Sequence, residues 1–138
     1  MGLQIVQIVA SGTFGHVCVV REATTDRLFA AKVLRPSYGT NDKVVARLRD
    51  EAKVLARLDH PHIVGISEVR EIAGQPVLLL EWVRGIPLDV VMTRTPEGYL
   101  PAADVLEVAL TIVDALHAAY NARDPEDGHP LAVIHRDI

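Results

Sequence analysis

Residues 3–22 read LQIVQIVASGTFGHVCVVRE, and the break at Ser11-Gly12-Thr13-Phe14-Gly15 in their middle decides how the rest of the chain is read. β-Branched residues crowd both flanks, which predicts strands over 3–9 and 16–22 joined by a flexible turn. Glycines at such a turn let the backbone come close to a ligand and aim its N–H groups at phosphate oxygens. The same residues also fit a plain hairpin turn in which glycine supplies a positive φ. What lies further along the chain has to choose between the two.

Thr24-Thr25-Asp26-Arg27 is a second turn signal, and Leu28 to Leu34 (LFAAKVL) reads as a third strand of an antiparallel meander. Lys32 interrupts that apolar run; a lysine there either snorkels to solvent or faces a specific anion. Asn41 or Asp42 can cap a helix running to about Leu58, with Val45, Leu48, Ala52 and Leu55 on one face. Glu51 lies at the edge of that face and is the carboxylate best placed to meet Lys32. Burying either charge without the other costs several kcal/mol, so the spacing predicts a Lys32–Glu51 pair.

Beyond the helix, residues 66–72 and 77–83, joined by Ala73-Gly74-Gln75-Pro76, read as another hairpin. Pro101 opens a second helix whose stripe is Val105, Ala109, Ile112, Leu116 and Ala119. Residues 123–130 (RDPEDGHP) form a polar loop leading into a short apolar strand over 131–134, and His135-Arg136-Asp137 follows. An aspartate there can accept a proton from a hydroxyl, or simply form a turn. The order implies an α+β fold of five strands with one inserted helix, then a mostly helical segment. Two lobes are expected, 1–84 and 85–138, with the boundary near Arg84-Gly85.

Composition narrows the function classes. With 14 basic and 18 acidic residues and a net charge of −4, no basic block offers a nucleic-acid footprint. Cys18 is the only cysteine, which excludes an internal disulfide or a thiolate zinc site and suits a reducing compartment. His60-Pro61-His62 lacks a third ligand nearby and reads as a loop rather than a metal site. No run approaches the ~20 apolar residues of a transmembrane helix, and the start lacks a signal peptide, so a cytoplasmic chain is expected.

Taken together, these segments resemble the protein kinase family, in its bacterial serine/threonine branch. Residues 10–17 (ASGTFGHV) are similar to its glycine-rich loop, Lys32 to its third-strand lysine, and Glu51 to its C-helix glutamate. Residues 58–64 (LDHPHIV) are similar to the L-x-H-P-x-I-V stretch, residues 79–83 (LLEWV) to the hinge, and His135-Arg136-Asp137 to the catalytic-loop motif. Residues 127–131 (DGHPL) resemble an insertion that bacterial members carry.

The resemblance implies a five-stranded N-lobe sheet with one C helix, and the first helix and catalytic-loop start of a helical C-lobe. It implies ATP bound by Ala10, Ser11, Gly12, Thr13, Phe14, Gly15, Val17, Ala30 and Lys32, with Leu80 as gatekeeper and the backbone of Glu81 and Val83 on the adenine edge. Asp137 is then the presumed base, acting on a protein Ser/Thr hydroxyl, with Lys32 and Glu51 completing the catalytic set. Arg136 implies control through a phosphorylated activation loop.

Two departures stand out. Ala10 occupies the place of the first glycine, which stiffens the loop and leaves Gly12 and Gly15 nearest the phosphates. The sequence closes at Ile138, so the asparagine and D-F-G aspartate that bind Mg²⁺ in the family are not among its residues. These 138 residues alone are therefore expected not to transfer phosphate. The alternative is a non-catalytic module that binds nucleotide or another protein.

Overall fold

The computed structural model describes residues 2–39, 41–125 and 127–134. They divide into two compact units: one takes the chain up to Asp59 together with Val64–Val83, the other takes His60–Ile63 and the chain from Arg84 onward.

The first unit is built on an antiparallel sheet of five strands, β1 (Leu3–Ser11), β2 (Gly15–Glu22), β3 (Leu28–Leu34), β4 (Ile66–Ile72) and β5 (Gln75–Glu81), in the order β1-β2-β3-β5-β4. Between β3 and β4 the chain forms a short turn of helix, α1 (Pro36–Gly39), and then α2 (Asp42–Leu55). α2 begins where Asn41 accepts hydrogen bonds from the Lys43 and Val44 amides (3.1 and 3.3 Å), satisfying donors that the first turn leaves orphaned. The β4–β5 connection is a two-residue loop, Ala73 (φ 51°) and Gly74 (φ 77°), both left-handed as a type I′ turn requires.

Strand register sorts the side chains onto two faces. Cys18, Val20, Phe29, Ala31, Val77 and Leu79 form one buried cluster. On the other face Leu34 and Leu78 pack beneath Leu48 and Ala52 of α2. Leu78 and Leu79 have no exposed surface, and burying each such side chain contributes roughly 1.5–3 kcal/mol. Beside the first cluster, Arg70 of β4 reaches Glu22 at the end of β2 (3.0 Å), two strands that are not neighbours in the sheet, and also pairs with Glu68. The Thr25 hydroxyl (2.7 Å) and then Arg70 hold the Glu22 carboxyl below the usual glutamate range, while Glu22 and Glu68 push Arg70 up.

In the second unit, α3 (Leu88–Arg94) and α4 (Ala102–Asn121) are the helices. His60 Nε2 meets Asp114 of α4 at 3.1 Å, and His60 Nδ1 lies 3.2 Å from the His62 amide, from which it accepts. Val105, Leu106, Leu110 and Val113 of α4 are exposed, whereas Ala119 is buried. No helix of the described residues is long and apolar enough to cross a membrane.

The five-stranded antiparallel sheet and the α+β class agree with the sequence reading. The differences are local. α2 stops at Leu55, three residues short of the expected end; β5 starts at Gln75 because the loop is only two residues long; and α1 and α3 were not anticipated. Residues 131–134 form no strand: the described pairing there is a single bridge, Arg123 with Pro130, and an apolar run without a partner strand has no ladder to join.

Candidate functional site

Pairing across the sheet puts several of the singled-out residues on one face. Val17 is opposite Lys32, Ala30 is opposite Leu80, and Ala30 and Lys32 are two apart on β3, so all four side chains project to the α2 side. Each is partly exposed, in contrast to Ala31 and Leu79 on the reverse face. Ala10 pairs with Val17, and Val9 sits in a β1 bulge just before it, where the extra residue re-aims the strand.

Lys32 and Glu51 meet. The Lys32 ammonium donates to both oxygens of the Glu51 carboxylate (2.8 and 2.7 Å), with the two side chains 39% and 40% exposed. α2 packs onto the sheet through Leu48 and Ala52, and Glu51, adjacent to Ala52, is thereby turned toward β3. A charge-assisted pair this open to solvent adds little stability, roughly 0–1 kcal/mol, so its geometry matters more than its energy. Lys32 and Glu51 line a cavity of about 180 Å³ together with Phe14, Leu34, Val44, Leu48 and Arg47. With Lys32 and Arg47 set against Glu51, the cavity carries excess positive charge suited to an anion.

The turn between β1 and β2 is closed by Gly12 N–H donating to Gly15 C=O (2.9 Å) and braced by Ser11 Oγ against His16 Nδ1 (2.9 Å). Neither Gly12 nor Gly15 has a positive φ. Gly15 is needed for a different reason: a Cβ there would fall 2.2 Å from the Val33 carbonyl oxygen on β3. At Gly12 the nearest atom to an added Cβ is 3.9 Å away. Only the second glycine is thus demanded by close approach, and the turn contributes the Phe14 side chain to the cavity lining.

At the end of β5, the Glu81 amide donates to Gly65 C=O (2.9 Å) and its carboxylate accepts from Gly65 N–H (3.1 Å). Val83 is 60% exposed. Asp137, with His135 and Arg136, lies outside the described residues. Among the described residues no three His, Cys, Asp or Glu side chains gather into a group that could hold a metal ion.

Sequence reasoning missed Arg35, whose guanidinium donates to Gly12 C=O (3.3 and 3.2 Å), Tyr38, whose ring meets Phe14 edge-on (5.4 Å), and Arg47. Arg47 could have been found, since it sits one helical turn before Glu51. Arg35 and Tyr38 carried no signal, because α1 was not foreseen.

Comparison with known proteins identifies relatives of the chain. The protein kinase domain family matches residues 3–138. The chain is 34% identical over 113 residues to the probable serine/threonine-protein kinase PknB of Lactococcus lactis subsp. lactis (strain IL1403), covering 82% of this chain and 16% of that protein. It is 30% identical over 135 residues to PrkC of Bacillus subtilis (strain 168), covering 98% and 19%. It is 31% identical over 138 residues to PknF of Mycobacterium tuberculosis (strain ATCC 25618 / H37Rv), covering 99% and 27%. A crystal structure of the Mycobacterium tuberculosis PknI kinase domain superposes with a TM-score of 0.67 at 29% identity, over 86% of this chain and 48% of that one. The chain thus spans about a quarter or less of these curated relatives and about half of the solved domain.

Proposed function

The chain belongs to the protein kinase domain family, and from that premise we propose that it is the nucleotide-binding part of a serine/threonine kinase that moves the γ-phosphoryl group of ATP onto a protein hydroxyl. The observation that carries this reading is the bidentate Lys32–Glu51 pair, set on the same sheet face as Val17, Ala30 and Leu80 and beside the Gly12–Gly15 turn. Val17, Ala30 and Leu80 would hold the adenine, with the Glu81 carbonyl and the Val83 backbone on its edge; the Glu81 amide is already given to Gly65. Lys32 would take the phosphates, held straight by Glu51, while residues 10–15 cover them. Lysine in this role acts as a positioned charge, which is most of what phosphoryl transfer asks of a protein.

Asp137 is assigned to orient the attacking hydroxyl. Mg²⁺, which the family uses to neutralise developing phosphate charge, would be held by groups other than those described. ATP as co-substrate and the single cysteine of these residues support a cytoplasmic reaction. In the full-length protein, Lys32→Met and Asp137→Asn are each expected to abolish transfer of labelled phosphate to protein Ser/Thr while circular dichroism stays native. Undiminished transfer by Lys32→Met would sink the assignment.

A second reading, a non-catalytic interaction module, draws on the exposed apolar side chains of α4. It expects ATP binding without transfer in the full-length protein, and detectable transfer excludes it.

A further inference from the structure

We propose that Arg35 is a positioning residue that aims the amides of the Gly12–Gly15 turn, a role that rests on the nucleotide-binding reading of that turn. Arg35 follows the last residue of β3 and holds the turn at two points. Its guanidinium gives two donors, Nε (3.3 Å) and Nη2 (3.2 Å), to the Gly12 carbonyl, and its own backbone N–H donates to the Phe14 carbonyl (2.9 Å).

The consequence follows from peptide planarity. In a trans peptide the C=O of one residue and the N–H of the next point in opposite directions. Pinning the Gly12 carbonyl toward Arg35 therefore turns the Thr13 N–H away from it, and pinning the Phe14 carbonyl does the same for the Gly15 N–H. One residue thus keeps two carbonyl dipoles off one side of the turn and leaves two amide donors there, the arrangement that receives an anion. Without the guanidinium the Gly12–Thr13 peptide is free to flip and present an oxygen to the same side.

The anchor is itself fixed. The Arg35 carbonyl accepts from the Tyr38 and Gly39 amides (2.8 and 3.0 Å), which forms α1, and Tyr38 meets the Phe14 ring edge-on. Gly39 lies against the side chain of Gln75 of β5, whose amide nitrogen is 2.3 Å from where an added Cβ would fall. The Tyr38 carbonyl in turn takes the amide of Asn41, the cap of α2 (3.0 Å). The hold on the turn therefore rests on the sheet and on the helix that carries Glu51.

The test is binding of ADP and of adenosine to the full-length protein by calorimetry, for wild type, Arg35→Met and Arg35→Lys. Arg35→Met is expected to weaken ADP about tenfold and leave adenosine unchanged, since adenosine has no phosphate for the turned amides to meet; Arg35→Lys, which keeps one donor, should recover part of the loss. Unchanged ADP affinity overturns the proposal, and so does an equal loss for both ligands, which would mean general damage to the site. If Arg35→Met does not fold, Arg35→Gln carries the same comparison. Wild-type protein that binds neither ligand removes the nucleotide-binding reading itself, and this inference with it.

Discussion

Gly12 and Gly15 look equivalent in the sequence and differ in what they tolerate. Gly15→Ala forces a Cβ into the Val33 carbonyl on β3 and should destabilise by roughly 1–3 kcal/mol in urea unfolding, whereas Gly12→Ala should stay within about 0.5 kcal/mol of wild type. Equal effects would mean that the close approach of the turn to β3 is wrong. Glu51→Gln leaves the unfolding midpoint almost unmoved, because the pair is solvent-exposed, yet should lower phosphoryl transfer by about tenfold or more in the full-length protein. Glu22 gives a pH signature. Its carboxyl is depressed in the folded state, so its contribution is complete above the unfolded value of about 4.3 and is lost as pH falls through the lower folded value. Glu22→Gln should flatten that part of the acid-stability profile, and an unaltered profile would show that Thr25 and Arg70 do not hold the carboxylate. At this scale Lys32 and Glu51 were legible as a pair because a charge in an apolar strand needs a nearby partner. Arg35 was not, because its contacts are to backbone carbonyls that leave no trace in side-chain pattern.

The elements were legible in proportion to their periodicity. β1 to β3 announced themselves through β-branched runs and polar turns, and α2 through its cap and its 3- and 4-residue spacing. α1 is a single turn, too short to show any period, and α3 follows a Gly- and Pro-bearing junction that masks it. The β4–β5 loop shows the limit of turn reading: four residues looked like the connection, but Gln75 pairs with Ile72 and only Ala73-Gly74 turn. Ala73 then carries a φ of 51° without being glycine or asparagine, a conformation disfavoured by roughly 1–2 kcal/mol for an L-residue. Ala73→Gly should raise the urea midpoint by the equivalent of about 1 kcal/mol with an unchanged slope, and a lowered midpoint would contradict the left-handed geometry.

Across the whole chain, the class of fold could be read because short motifs recur in a fixed order, each supported by its strand or helix. The membership of His60–Ile63 in the second unit could not, since it depends on the contact from His60 to Asp114 far along the chain. Exposure was also hidden: the α4 stripe that looked like core leaves Val105 and Ile112 exposed at 50% and 38%. Expressed as these 138 residues, the polypeptide should therefore bind an apolar dye, and Leu110→Gln, at a 61% exposed site, should reduce the signal; no dye binding would refute this.

The strand order β1-β2-β3-β5-β4 also predicts a sequence of events in time. The β1–β2–β3 meander and the β4–β5 hairpin each close through short loops and can form early on their own. The seam between β3 and β5, where Lys32 lies opposite Leu78, closes only when everything from residue 35 to residue 74 is gathered in, so its formation is expected to be the slow step. Refolding after rapid dilution from urea should accordingly be slowed by Leu78→Ala in proportion to its loss of stability, whereas Val20→Ala in the early meander should act there too and Ala119→Gly in α4 should mainly hasten unfolding. Lys32 sits on that seam, so its surroundings, the Glu51 carboxylate and the cavity walls, would be complete only once the two parts of the sheet have joined.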